Sequence, residues 1–150
     1  MNYELYMRAA LAEAAQAGRA GERANGAVAV LDEAMVAHGR EAVVSSGDPT
    51  AHAVIICLRE AATKLGRTSL AGTTIFCVVE PCPMCVGALL ACDADGVVFA
   101  LSDPAEGACL SAMKIAQGGC RGRRLQVVSG MLQEDAADLR PDLAPEALRR

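Results

Sequence analysis

The 150-residue chain reads as an α/β fold, a mixed and mostly buried sheet with helices on both faces. Three observations predict it. Strand-like and helix-like patterns alternate along the chain; the first two strands are joined by a two-residue turn; and an apolar strand runs straight into a helix through Glu80-Pro81-Cys82-Pro83-Met84-Cys85. With no internal repeat and no linker, a single domain over residues 1–150 is expected. At 53% apolar residues it has enough to bury a core.

The elements follow in order. Tyr3 to Ala17 sets Leu5, Ala9, Ala12 and Leu11, Ala15 at helical spacings among strong helix formers, and Gly18 and Gly21 stop it. Gly26 to Leu31 suits a buried strand, Asp32-Glu33 a tight turn, and Ala34 to Val44 the returning strand of a hairpin. Ser45 to Pro49 is a loop, after which Asp48 or Thr50 can cap a helix running from about Ala51 to Leu65. Gly66 to Gly72 is a polar connection, and Thr73 to Val79 is a strand covered on both faces. The motif and an alanine-rich helix, Val86 to Cys92, come next. Asp93 to Gly96 turns the chain into the strand Val97 to Ala100, and this strand–helix–strand order favours parallel pairing. Beyond the Ser102 to Gly107 loop the sequence predicts a short helix at Ala108 to Ala116 and flexible punctuation at Gly118 to Arg124. A last strand, Leu125 to Val128, and a helix, Gln133 to Leu139, precede a loosely packed tail marked by Pro141 and Pro145.

Composition narrows the function classes. No apolar run is long enough to span a bilayer and no export leader is evident, so the cytoplasm is expected and a membrane is not. The seven cysteines are an odd number in a domain that needs no disulfide framework, which favours reduced thiols with a metal role. A formal charge of −4 argues against a nucleic-acid partner, and the one basic cluster, Arg121, Arg123 and Arg124, reads as a solvated loop.

The chemistry gathers at Cys82 and Cys85. Two thiols three positions apart, where a strand hands over to a helix, meet the positive end of the macrodipole and ionise more readily. Pro83 fits the first helical turn, where its missing N–H costs nothing. Alone, the pair reads equally as a redox couple or as two small buried hydrophobes. His52, thirty residues upstream at the start of another helix, tips the balance: one imidazole and two thiolates leave a fourth tetrahedral position, the pattern of a catalytic zinc site. By itself His52 is also a satisfied histidine near a helix start.

In these residues the chain resembles the cytidine deaminase superfamily, nearest the branch with tRNA adenosine, guanine and cytosine deaminases. The likeness runs from Gly26-Ala27-Val28 through Asp48-Pro49-Thr50-Ala51-His52-Ala53, Glu80-Pro81-Cys82-Pro83-Met84-Cys85 and Val98-Phe99-Ala100-Leu101-Ser102-Asp103 to Gly107-Ala108. It implies a three-layer α/β/α sandwich with a mixed central sheet, zinc held by His52, Cys82 and Cys85, and dimers or larger oligomers, of which a homodimer is expected. It implies also hydrolytic deamination of a small amino-heterocycle, a nucleobase or nucleoside, with Asn25, Glu41, Ala53 and Pro81 around the substrate.

The chain departs from the pattern at Val54, which stands where the superfamily signature H-x-E…P-C-x-x-C has its acid/base glutamate. That glutamate carries a proton to the ring nitrogen and the departing ammonia, and valine cannot. The form written is therefore expected to bind zinc and ligand but to turn over poorly. Three accounts compete: an enzyme altered at its acid/base by design or by variation, a natural pseudo-deaminase that binds or scaffolds, and a catalyst in which another carboxylate substitutes. The first is favoured because the rest of the motif is intact; a tRNA adenosine deaminase-like enzyme is the alternative in substrate. Glu41 stands where the family usually has an asparagine that hydrogen-bonds the base, and Asn25 where it usually has an apolar or aromatic residue. Both point to an unusual ligand, or to no more than a solvated loop end.

Overall fold

The computed structural model describes residues 1–120 and 122–148. Of the basic cluster expected on a loop, Arg121 lies outside the described residues. The first helix, α1, spans Tyr3–Arg19, and the hairpin strands are β1 (Gly26–Leu31) and β2 (Ala34–Arg40). A short helix α2 (Val43–Ser46) leads to α3 (Ala53–Leu65), followed by β3 (Thr74–Val79), α4 (Pro83–Ala91) and β4 (Gly96–Leu101). Two small strands, β5 (Gln117–Cys120) and β6 (Arg123–Arg124), precede β7 (Gln126–Val128), α5 (Gln133–Leu139), a 3-10 turn at Pro141–Leu143 and α6 (Pro145–Leu148).

The main sheet has the order β2-β1-β3-β4-β7. β1 pairs antiparallel with both β2 and β3, whereas β3 pairs parallel with β4, and β4 with β7. This is the mixed sheet that the alternating pattern predicts. Strand residues alternate between two cores, as the period of two demands. Val28, Val30, Phe76, Val78, Val98 and Ala100 face Met7, Ala10 and Ala14 of α1 and Ala136 of α5. Ala27, Ala29, Ile75, Cys77, Val97 and Phe99 face Val54, Cys57 and Leu58 of α3 and Val86 and Leu89 of α4. Three layers result.

Helix α3 approaches β2 closely at Gly39, where an added Cβ would lie 2.3 Å from the Ala53 carbonyl oxygen. No side chain fits there, so the first turn of α3 is set against the sheet by a missing one.

Five local expectations are overturned. β2 stops at Arg40 because the Ala42 N–H turns to the Ala51 carbonyl, and the Val44 and Ser45 N–H groups bond the Glu22 carboxylate at 2.9 and 2.7 Å. The β-branched pair Val43-Val44 thus enters a helical turn rather than a strand. Asp48 accepts from the Thr50 N–H in a turn of its own, so neither residue caps α3. Ala108 to Ala116 forms turns, its early N–H groups having gone to Glu80; and in the stretch expected as flexible punctuation, 118–120 and 123–124 belong to the β5–β6 ribbon. The tail is better packed than expected: Leu143 is 8% exposed and joins the α1-side core.

Candidate metal and active site

The site lies past the C-terminal end of β3, where parallel strands expose the crevice in which such sheets bind ligands. Cys82 occupies the N-cap of α4 with extended backbone, Pro83 its first turn, and Cys85 lies one turn along. His52 holds the N-cap position of α3. These two helix starts meet. The His52 Nδ1 lies 3.5 Å from the Sγ of Cys82 and 3.5 Å from that of Cys85, and all three donor atoms fall within 4.8 Å of one another. Zn–S of about 2.3 Å and Zn–N of about 2.0 Å at a tetrahedral angle require an N···S edge of about 3.5 Å. The donors are thus spaced for one zinc ion.

The thiols are sorted by their surroundings. Cys85 donates to Cys82 and holds the Cys82 thiol down to about 5, against the cost of burial and with help from the Cys85 N–H and the His52 imidazole. Cys85, keeping the shared proton, is pushed far up. Burial raises Cys57 and Cys77 well beyond the ordinary range and Cys109 to about 12. Zinc binding would take the proton from Cys85 as well.

The cleft beside this trio has a volume of about 50 Å³. Val54, 1% exposed, forms part of its wall, in the first turn of α3 next to Ala53. Asn25 and Pro81 also line it. The Asn25 Oδ1 accepts from the Gly26 and Val79 N–H groups at 3.0 and 3.1 Å, so the side chain ties the start of β1 to the end of β3. The Pro81 carbonyl accepts from the Ala108 N–H at 2.8 Å. Glu41 is 6% exposed and is not part of the lining; its Oε1 accepts from the Ala53 N–H at 3.0 Å, satisfying a free donor of α3 that His52 leaves unbonded. Burial pushes the Glu41 carboxyl up, with the Ala53 N–H, His52 and Arg23 opposing.

Sequence reasoning passed over the mouth of the cleft. Arg23, Asp103, Glu106 and Arg140 line it, and Arg23 meets Glu106 at 3.7 Å. Their positions before β1, after β4 and after α5 share no local pattern, so only the topology brings them together. Glu80, the first residue of the motif, is 3% exposed and also lines the cleft. Burial opposes its ionisation, yet hydrogen bonds from the Leu110 N–H, the Ser111 hydroxyl and the Asp103 and Cys109 N–H groups together hold its carboxyl below the usual range.

Residues 1–101 match the family described as the cytidine and deoxycytidylate deaminase zinc-binding region. The chain belongs to that family. Among its relatives in the deaminase family, the tRNA-specific adenosine deaminase of Bacillus subtilis (strain 168) is 35% identical over 136 residues, covering 91% of this chain and 84% of that protein. The guanine deaminase of the same organism is 40% identical over 90 residues, 59% of this chain and 58% of its own. A solved structure from a study of A-to-I editing by tRNA:A34 deaminases superposes with a TM-score of 0.86 at 31% identity, covering 89% of this chain and 97% of that one. The cofactor of this deaminase family is zinc, and the His52, Cys82 and Cys85 group can hold it.

Proposed function

We propose that this deaminase-family chain holds zinc through His52, Cys82 and Cys85, binds a small amino-heterocycle in the adjoining cleft, and lacks an efficient proton carrier for hydrolytic deamination. Bound there, zinc supplies a Lewis acid that activates water toward the ring carbon bearing the amino group. Val54 carries the rest of the reading: a branched aliphatic residue, 1% exposed, stands in the first turn of α3 beside the metal donors. The lining carboxylates are engaged elsewhere. Glu80 is taken up by backbone donors, Asp103 accepts from the Ala105 and Glu106 N–H groups, and Glu106 pairs with Arg23.

A small ring is favoured by the charge at the mouth, where Arg23 and Arg140 are matched by Asp103, Glu106 and Asp142. Little positive field is left over for a phosphate backbone. The similarity to tRNA adenosine deaminase over 91% of the chain supports a second reading, adenosine within a tRNA loop. Ammonia release by Val54→Glu at full zinc loading tests both, with free bases and nucleosides in one arm and an anticodon stem-loop in the other. Equal release by the unaltered chain would overturn the reading of Val54. Release only from the stem-loop would overturn the small-ring substrate.

The homodimer belongs to this proposal too. Helix α4 has no charged or polar side chain beyond Cys85, and with Ile55, Leu58 and Ala62 of α3 its Ala88 and Ala91 line a largely apolar groove of about 320 Å³, bordered also by Arg59 and Thr68. Sedimentation of Ala88→Arg beside the unaltered chain tests whether a second copy covers it. The seven unpaired cysteines support a reducing compartment such as the cytoplasm. No helix among the described residues is long and apolar enough to cross a membrane.

A further inference from the structure

The Asp103–Ser111 segment forms one wall of the cleft, yet it contains no helix or strand to fix its path. Its backbone donors converge on one side chain instead. The Glu80 Oε2 accepts from the N–H groups of Cys109, Leu110 and Ser111 at 3.1, 2.8 and 3.1 Å. Its Oε1 accepts from the Asp103 N–H at 3.0 Å and from the Ser111 hydroxyl. Five donors saturate a carboxylate that has about four lone-pair sites. Nothing remains with which to take a proton from a ligand.

The segment also wraps tightly around this carboxylate. A Cβ on Gly107 would lie 2.3 Å from the Glu80 Cδ, so only glycine lets the chain pass. Next to it, the Ala108 N–H bonds the Pro81 carbonyl at 2.8 Å, fastening the segment to the residue before Cys82. At its far side Glu106 reaches Arg23 at 3.7 Å. The cleft is narrow, about 50 Å³, so the position of this wall decides what reaches the metal donors.

We propose that Glu80 is a positioning residue: by holding the Asp103–Ser111 segment against the end of β3, its carboxylate sets the access of solutes to the His52, Cys82 and Cys85 site. The inference rests on the reading of that site as the zinc centre of the cleft. Glu80→Gln turns one acceptor into a donor facing N–H groups, while Gly107→Ala displaces the carboxylate without changing it. Ser111→Ala removes a single donor and keeps the fold safest.

The test measures, on zinc-loaded protein, the rate at which the chelator 4-(2-pyridylazo)resorcinol strips the metal, beside amide exchange at 109–111 and the absorption of the cobalt-substituted site. Glu80→Gln and Gly107→Ala should each speed release by about tenfold or more, and Ser111→Ala by less, with metal stoichiometry and cobalt bands unchanged. Phe76→Leu, which disturbs the core on the other sheet face, should lower the melting temperature and leave the release rate alone. Amide exchange that quickens at 109–111 while release stays at the unaltered rate would overturn the proposal, leaving Glu80 a purely structural group. Unaltered protein that binds no zinc would sink the site reading instead; alkylation of Cys82 by iodoacetamide then reads access, and equal rates in all variants would overturn the role of Glu80.

Discussion

On the metal side of the cleft each polar group has an assignment: the two thiols beyond β3 and the His52 imidazole at the start of α3 are spaced for one ion, and the Glu80 carboxylate is saturated by the facing segment. On the α3 side, two residues past His52 in the first turn, the wall is Val54, an aliphatic side chain packed into the core. The two sides are built by different means. The metal side depends on backbone geometry at two helix starts, which also stabilises the fold, whereas the α3 side depends on one side chain that the fold accepts as readily when it is apolar. Metal retention and turnover are thus separable in this architecture.

Removing one donor breaks the comparison on its stronger side. Cys85→Ala should take the zinc content of protein purified without chelator from one per chain to near none, since two ligands seldom hold the ion, and elemental analysis decides it. Completing the weaker side comes next. Val54→Glu should raise ammonia release by ~10²–10⁴-fold, the usual worth of a positioned acid/base.

The same position sharpens the contrast in stability. In metal-stripped protein Val54→Glu should cost about 3 kcal/mol, because a carboxylate would enter a site that is 1% exposed, and Val54→Ala about 2 kcal/mol through lost burial and a small cavity. Urea unfolding of both variants measures this. A cost near zero for Val54→Glu would show that the α3 side is already wet. The smallest effect concerns the thiols of the metal-stripped protein. With its pKa held down to about 5, Cys82 is thiolate at pH 7, and its alkylation should slow only as the pH falls through about 5, roughly tenfold per unit below. Cys57, Cys77 and Cys109, raised by burial, should stay unmodified throughout, and peptide mapping separates them.

Much of this was legible because it rests on local pattern. Apolar runs marked β1, β3 and β4, and the spacing of Cys82 and Cys85 with His52 upstream marked the metal group. What stayed hidden depends on partners far along the chain. Val43-Val44 looks like strand until Glu22 supplies a cap, and 108–116 looks helical until Glu80 claims its N–H groups. Glu41 and Asn25 show the same limit, since nothing local reveals that their oxygens are spent on the N–H groups of Ala53, Gly26 and Val79.

The alternation of β3 between two cores has a consequence for how the chain tolerates changes in length. Deleting Thr74 or Ile75 would exchange the facings of the residues that follow, turning Phe76 and Val78 toward α3 and α4 and Cys77 toward α1. It would also draw Glu80 and Cys82 one pleat back from His52. An insertion at the Gly122 turn, by contrast, lies between β5 and β6, outside the main sheet, and alters neither facing. A scan of single-codon insertions should therefore leave a silent stretch at that ribbon and none along β3.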